Sequence, residues 1–165
     1  MPEHHPELPT LGSDFESAAH SPGLALWQVT NRWQGAMRST LKPHDLTHVQ
    51  YVLLAALVWI QSHTDEPITQ ADLAEFAATD RMMTSQVLRA LEAKQLLQRD
   101  HHPRDGRARA LHATPAGVAS AQRATRDIEA ADREFFAPLG AHTSPFVAQL
   151  ALLVASPAAR GDAAG

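Results

Sequence analysis

The sequence contains no cysteine, and this single absence removes several classes of function. With none among its 165 residues, the chain has no disulfide, no thiolate metal site and no cysteine-based redox sensor. Aromatic residues are also scarce, at 5% of the chain, but an apolar content of 44% is enough for one compact core. We therefore expect a single domain with short extensions.

Long apolar runs are scarce as well. The longest covers residues 49–60, well short of the roughly 20 residues that a membrane-spanning helix needs. Residues 1–10 are polar and lack the apolar core of a secretory signal. These two observations predict a cytoplasmic protein that does not enter a membrane.

The sequence also lacks the motifs on which enzyme mechanisms are commonly built. It contains no Gly-rich phosphate loop, no nucleophile elbow and no spaced set of carboxylates and histidines. Its ten histidines are scattered, and His4, His5 and His20 have no evident second set of ligands. We therefore predict no enzymatic activity, no cofactor and no metal site.

The two ends of the chain differ in composition from its middle. Residues 1–22 hold four prolines among Glu, Ser and His, which predicts a flexible arm. Residues 156–165 are rich in small residues and are predicted to be a flexible tail. Between them, residues 23–155 are predicted to form one domain.

Apolar residues recur at helical spacing through this domain. The spacing predicts helices over about 23–41, 47–62, 115–137 and 144–155, and the second is apolar almost all the way round, so it should be buried. The last carries more apolar surface than one solvated helix tolerates. We expect it to pack on the first helix or to meet another chain.

Residues 69–114 combine two short helical patterns with a strong turn sequence. Thr69 has the spacing of a helix cap, and in the helix that follows we expect Leu73, Phe76 and Ala77 to face inward. After the second helix, residues 103–106 read Pro-Arg-Asp-Gly and predict the tip of a two-stranded ribbon. The extended pair at 67–68 is expected to add a short third strand beside it.

The second of these helices sorts its residues onto two faces. One face is mostly apolar and belongs in a core, and the other carries side chains that could touch a partner. The inward set is Thr84, Val87, Leu88 and Leu91, and the outward set is Met82, Ser85, Gln86 and Arg89. A Gln and an Arg placed this way can read adenine and guanine edges in a DNA major groove, although a solvated polar face looks the same.

The ribbon favours the DNA interpretation. Arg104, Arg107 and Arg109 surround its tip, where they can lie on phosphates or enter the minor groove. Residues 81–109 hold seven Lys/Arg and three Asp/Glu, a local charge of +4 in a chain whose net charge is −4. This basic patch on an acidic protein predicts a polyanionic partner.

Together these features resemble the MarR family of bacterial transcription regulators. The resemblance rests on Leu-Thr-His-Val-Gln-Tyr at 46–51, the two central helices, the Arg-Asp-Gly-Arg ribbon and Thr-Pro-Ala-Gly at 114–117, and it extends from about residue 24 to about residue 154. Two positions depart from the family pattern. Gln95 stands where a Gly usually follows the recognition helix, which costs up to about 1 kcal/mol if the position is left-handed, and Ala113 stands where a Leu is common.

The resemblance implies a mainly α fold with a small β-hairpin wing. The winged helix-turn-helix would cover about 46–114, flanked by dimerisation helices at about 23–41 and 115–155. The implied function is a homodimeric, ligand-responsive regulator, a repressor or else an activator, that binds a pseudo-palindromic operator in double-stranded DNA. A winged-helix protein-interaction module without DNA binding is the alternative. The expected DNA contacts are Arg81, Met82, Ser85, Gln86, Arg89, Arg104, Arg107 and Arg109.

The resemblance also implies a small-molecule effector, often aromatic or anionic, in a crevice beside the dimerisation helices. The candidate walls are Trp27, Asn31, His48, Tyr51 and Val52. A crevice with aromatic surface and a few polar groups is the usual composition of a ligand site. An ordinary helix-helix core with one satisfied His has the same composition, so both interpretations stand.

Overall fold

The computed structural model describes residues 12–104 and 108–156. Residues 1–11 of the predicted arm therefore lie outside the described residues, as do the wing tip at 105–107 and the tail from residue 157. The fold falls into two compact units, Met1–Gly35 and Ala36–Gly165. Helix α1, Pro22–Leu41, begins in the first and ends in the second.

The first unit contains a 3-10 turn, Ala18–His20, and the greater part of α1. The Ser21 hydroxyl accepts a hydrogen bond from Leu24 N (3.3 Å) at the start of α1. One turn on, Asn31 Nδ2 donates to the Trp27 carbonyl at 2.8 Å. Trp27 is 67% exposed within this chain.

In the second unit the central element is helix α2, His48–Gln61. Thr47 caps it: the Thr47 hydroxyl accepts from Gln50 N (3.3 Å), and the Gln50 side chain accepts from Thr47 N (3.0 Å). Its Leu53, Leu54 and Leu57 are fully buried. The prediction of a buried scaffold helix is confirmed.

Two shorter helices follow, α3, Gln70–Phe76, and α4, Arg81–Ala93. Thr69 caps α3 as predicted, since its hydroxyl accepts from Asp72 N while Asp72 accepts from Thr69 N at 2.7 Å. The turn between the helices needs no glycine, because Ala78 itself adopts a left-handed conformation with φ 49°.

One expectation for α3 is wrong. Leu73 and Ala74 form its buried face, whereas Phe76 is 57% exposed. At 100° per residue, Phe76 points more than 90° away from the direction midway between Leu73 and Ala74. Ala77, which follows at nearly the Leu73 direction, is half-buried.

The predicted ribbon is an antiparallel pair, β1, Leu97–His101, and β2, Arg109–Ala113. Its register runs from Leu97 opposite Ala113 to His101 opposite Arg109. The expected third strand is a single bridge in which Leu111 N donates to the Ile68 carbonyl at 2.8 Å. Helix, turn, helix and hairpin therefore occur in the predicted order.

Helix α5, Pro115–Phe136, leads through a 3-10 turn, Ala137–His142, to α6, Thr143–Ala155. By length and composition, Pro115–Ala155 is the one described stretch sufficient to cross a membrane. It is not one straight helix, because Gly140 in the 3-10 turn has φ 50° and ψ −123°. The 13 residues of α6 are also fewer than the roughly 20 that a span needs. The fold class, mainly α with a small hairpin, is confirmed.

Candidate nucleic-acid interface

The two faces predicted for the second central helix are present in α4. Thr84, Leu88 and Leu91 are fully buried, and Val87 is half-buried. The hydroxyl of Thr84 is satisfied inside the core, because it donates to the Asp80 carbonyl (2.7 Å) and lies 2.8 Å from the Thr79 hydroxyl. On the outward face Met82, Gln86 and Arg89 are exposed and Ser85 is half-buried.

The N-terminal end of α4 is capped by a carboxylate. Asp80 Oδ1 accepts from Met82 N at 2.8 Å and from Met83 N at 3.0 Å. This satisfies two of the amide groups that a helix start leaves without an intrahelical partner. Beyond the cap, Met82 is 74% exposed and Met83 is 40% exposed. The sequence predicted Met82 as outward but not the exposure of Met83.

The C-terminal end of α4 closes with a left-handed residue. Gln95 has φ 58°, its amide donates to Glu92 O (2.8 Å), and Leu96 N donates to Leu91 O (3.0 Å). This pair of bonds is a Schellman motif, which usually places Gly at the left-handed position. Because Gln95 is left-handed, it carries the conformational cost, up to about 1 kcal/mol, that a non-glycine residue has at this position.

The Thr-Pro-Ala-Gly segment closes over this turn. The Thr114 hydroxyl donates to the Gln95 carbonyl (2.7 Å) and accepts from Gly117 N (3.0 Å), so one side chain caps α5 and binds the end of α4. A Cβ on Gly117 would lie 1.8 Å from the Leu96 carbonyl oxygen. Only glycine permits this approach of α5 to the backbone behind α4.

Several basic residues of the 81–109 stretch are held by carboxylates. These contacts reduce the number of cations that face solvent without a partner. The pairs are Lys94 with Asp45 (Nζ to Oδ2, 2.9 Å), Arg104 with Glu66, and Arg99 with Glu92 (Nε to Oε2, 3.1 Å, close enough for an ion pair but without hydrogen-bond geometry).

The remaining described cations of this stretch are Arg81, Arg89 and Arg109. All three are exposed, and none forms an ion pair with another described residue. Arg81 starts α4 and Arg109 starts β2, so the exposed positive charge lies on the recognition helix and on the ribbon. Arg107 falls outside the described residues.

The predicted effector residues are divided between the two units. Trp27 and Asn31 belong to the first, and His48, Tyr51 and Val52 are half-buried on α2 in the second. Burial lowers the pKa of His48. The charge of Asp132 opposes this decrease and the charge of Arg38 adds to it, and the neutral imidazole is favoured. The crevice itself stays a prediction.

Within the second unit, a groove of about 310 Å³ lies between α2 and α5. Trp59 and Arg126 line it, together with Thr125, whose hydroxyl accepts from Tyr51 Oη at 3.3 Å. Trp59 was not among the residues predicted from the sequence. Its helical spacing from His48 and Val52, eleven and seven residues on, could have placed it on the same face of α2.

Two comparisons of sequence identify the family. Residues 46–108 match the model of the MarR family. The chain is also 40% identical over 125 residues to the uncharacterised HTH-type transcriptional regulator YdcH of Bacillus subtilis (strain 168), which covers 76% of this chain and 84% of that protein. The chain belongs to the MarR family. This MarR protein is therefore a DNA-binding transcriptional regulator, as predicted.

Solved structures share the fold of this MarR protein. The repressor CouR, bound to a 23-mer DNA duplex, has a TM-score of 0.74 at 22% identity, with 87% of this chain and 100% of that chain covered. Bordetella bronchiseptica BpsR, whose DNA binding is regulated by 6-hydroxynicotinic acid, has a TM-score of 0.77 at 22% identity, with coverages of 87% and 99%. At these identities the likeness concerns the fold alone.

Proposed function

We propose that this MarR protein binds an operator as a homodimer through α4 and the wing and that it acts as a ligand-responsive repressor. The observation that carries the proposal is the outward face of α4, where Gln86 and Arg89 are exposed beside a fully buried inner face. Two such modules related by a twofold axis would meet successive major grooves of a pseudo-palindrome.

The proposed contacts differ in what they do. Gln86 and Arg89 read base edges, and Ser85 positions the helix on a phosphate. Neutralising phosphates is the role we assign to Arg81 on the helix and to three ribbon arginines, which contribute affinity without sequence preference. The ribbon set is Arg104, Arg107 and Arg109.

The contact of Arg104 with Glu66 qualifies its role. Both side chains are largely exposed, and an exposed ion pair adds little stability. A DNA phosphate can therefore replace the Glu66 carboxylate at small cost. We propose that Arg104 exchanges partners in this way, so its net contribution to affinity is smaller than that of Arg109, which has no ion pair with another described residue.

The decisive experiment compares specific with non-specific binding. An operator is first selected from random duplexes, and Gln86→Ala is then measured on it and on an unrelated duplex. We expect a loss of about 1 to 3 kcal/mol on the operator and much less on the unrelated sequence. Gln122→Ala on the exposed side of α5 is the matched control. Equal losses on both duplexes would reduce Gln86 to a backbone contact.

The ribbon is tested by the salt dependence of binding. We expect Arg107→Ala and Arg109→Ala each to weaken binding to all duplexes by a similar factor and to lower the salt slope by about one unit. Arg123→Ala, an exposed arginine of α5, is the control and should leave the slope unchanged. An unchanged slope in both ribbon variants would remove the ribbon from the interface.

Homodimer formation through the terminal helices is supported by the apolar surface of α6. Val147, Leu152, Leu153 and Val154 are each more than half exposed within one chain, and a partner subunit would cover them. We expect deletion of residues 144–165 to give monomers or aggregates that no longer bind the operator. A truncated protein that sediments as a dimer and binds normally would exclude this role.

The residues predicted from the sequence, Trp27 and Asn31 on α1 and His48, Tyr51 and Val52 on α2, are proposed to contact the effector. A second solved structure of CouR, from Rhodococcus jostii RHA1, is bound to p-coumaroyl-CoA, which supports an effector with an aromatic group. Phenolic and heterocyclic acids are screened by tryptophan fluorescence and then by operator release. We expect Trp27→Ala to lose release, whereas equal release from both proteins would remove Trp27 from the site.

The alternative function is a winged-helix interaction module without DNA binding. A salt titration of duplex binding distinguishes it from the DNA-binding function. Binding of a random duplex at low salt with a steep salt slope supports the DNA function. No binding at any salt concentration would favour the interaction module. We further propose that the protein is cytoplasmic and without enzymatic activity, and that residues 23–155 form one domain.

A further inference from the structure

The first turn of α4 combines a carboxylate cap with an exposed apolar side chain. Its amide groups at Met82 and Met83 are already bound by the Asp80 carboxylate. Beyond that cap it exposes a large apolar side chain, because Met82 is 74% accessible. With Met83 beside it 40% exposed, Met82 offers an apolar contact to any partner surface that carries an apolar group.

The Asp80 cap makes a DNA phosphate an unfavourable partner for the amide groups at the start of α4. A helix start normally offers its amide groups and positive dipole end to a phosphate. Here Asp80 occupies the amides of Met82 and Met83 and adds a negative charge, which repels phosphate. These two amide groups are therefore poorly suited to a phosphate, and the Met82 side chain beside them is better suited to the base edges inside the groove.

Base edges offer one strongly apolar group in the major groove, the 5-methyl group of thymine. Methionine fits such a contact, because its unbranched and polarizable side chain adapts to the position of the methyl group. Met82 and Gln86 are four residues apart on the same face of α4. Four residues rise about 6 Å, which is close to two base-pair steps.

We propose that Met82 reads the 5-methyl group of a thymine in each operator half-site, one or two base pairs from the base that Gln86 contacts. The proposal rests on the DNA interface proposed above. It assigns to α4 a preference for thymine that comes from an apolar contact rather than from a hydrogen bond. It also explains why an acidic cap is tolerated at a DNA-facing helix start.

The test removes the methyl group and nothing else from the DNA. In the selected operator each thymine is replaced in turn by deoxyuridine, which keeps base pairing, and the dissociation constant is measured at fixed salt. We expect one thymine per half-site at which the wild-type protein loses about fourfold in affinity, the factor that corresponds to burying one methyl group. Deoxyuridine outside the half-sites should have no effect.

Protein variants then assign the effect to Met82. Met82→Ala should bind the thymine and deoxyuridine operators equally, and Met82→Leu should keep most of the discrimination because its side chain remains apolar. Replacing the same base pair by C·G and by 5-methylcytosine·G gives an independent measurement, since the methylated duplex should recover part of the lost affinity. The melting temperatures of the Met82 variants verify that they fold. We expect these temperatures to equal that of the wild-type protein, because the Met82 side chain is exposed.

The outcomes separate this inference from the function on which it rests. Tight operator binding with no sensitivity to any deoxyuridine would refute thymine reading and leave the DNA interface intact. Discrimination that persists in Met82→Ala would assign the methyl contact to another residue. Absence of duplex binding under all conditions would overturn both proposals.

Discussion

The two ends of helix α4 are built in opposite ways. At the N-terminus one side chain, Asp80, caps the helix, and the residues beyond it are exposed. At the C-terminus a left-handed Gln95, the Thr114 hydroxyl and the close approach of Gly117 to Leu96 tie the helix to α5. The recognition helix is anchored at one end and presented at the other.

The C-terminal end of α4 fixes the position of the recognition helix, and the exposed end leaves its side chains free to adjust. A contact that reads bases needs a fixed origin, and the backbone packing behind α4 supplies it. The reading side chains themselves sit where little of the protein constrains them, so they can adjust to the groove. If the comparison is right, substitutions at the C-terminal anchor should affect folding most, and substitutions at the N-terminal end should affect binding more than folding.

The largest effect is expected at the closest backbone contact. Gly117→Ala places a Cβ 1.8 Å from the Leu96 carbonyl oxygen, so α5 or the turn behind α4 must move, at a cost of about 3 kcal/mol in unfolding free energy. Urea denaturation measures it. The control is Gly23→Ala in α1, where a Cβ meets nothing within 4 Å. A loss no greater than in the control would show that the C-terminal end is not anchored here.

A smaller loss is expected from the N-terminal cap. Asp80→Ala removes the acceptor of two helix amides and should lower the unfolding free energy by about 1 kcal/mol. Asp80→Asn keeps a good capping side chain and should leave stability nearly unchanged. The same Asn variant should bind non-specific duplex more tightly at low salt, because a carboxylate no longer repels phosphate. Unaltered duplex affinity in Asp80→Asn would place this end of α4 away from the DNA.

A gain of stability is expected at the left-handed residue. Gln95→Gly should raise the unfolding free energy by up to about 1 kcal/mol, because glycine adopts φ 58° without the steric cost of a Cβ. Gln95→Ala retains that Cβ and serves as the matched control, with little change expected. A destabilised Gly variant with a neutral Ala variant would mean that the Gln95 conformation carries no strain.

The smallest effect is expected from the ion pair at the same end. Lys94 and Asp45 are 2.9 Å apart, but the Asp45 side chain is almost wholly exposed, so the pair should contribute less than about 0.5 kcal/mol. A double-mutant cycle of Lys94→Gln and Asp45→Asn measures the coupling, and Asn suits the left-handed backbone of Asp45. A coupling above about 1 kcal/mol would add a charged contact to the anchor.

Much of the fold could be predicted because the signals are local. The cap at Thr69 and the helical spacing of α2 each lie within a few residues of the structure they determine. Phe76 shows the limit of this reasoning. Apolarity marked it as core, but the direction that α3 buries is set by packing against α4, and that packing selects Leu73 and Ala74.

The sequence was sufficient to predict which residues of α4 face outward, but not which basic residues form ion pairs. The outward set on α4 follows from helical spacing alone, so the exposure of Gln86 and Arg89 agrees with the prediction. The contact of Arg104 with Glu66 joins positions 38 residues apart in the chain. No local pattern reports such a contact, which explains why an equal role was expected for all three ribbon arginines.

Because Gly117 has no Cβ, its contact with Leu96 also limits which residues evolution can place at position 117. With the Leu96 carbonyl oxygen where a Cβ would lie, a library randomised at position 117 and selected for function should return glycine almost exclusively. Position 95, left-handed but unobstructed by such a contact, should return glycine, asparagine and the present glutamine. These two positions, which meet behind the recognition helix, therefore differ in the sequences they admit, Gly117 by lack of space and Gln95 by backbone preference.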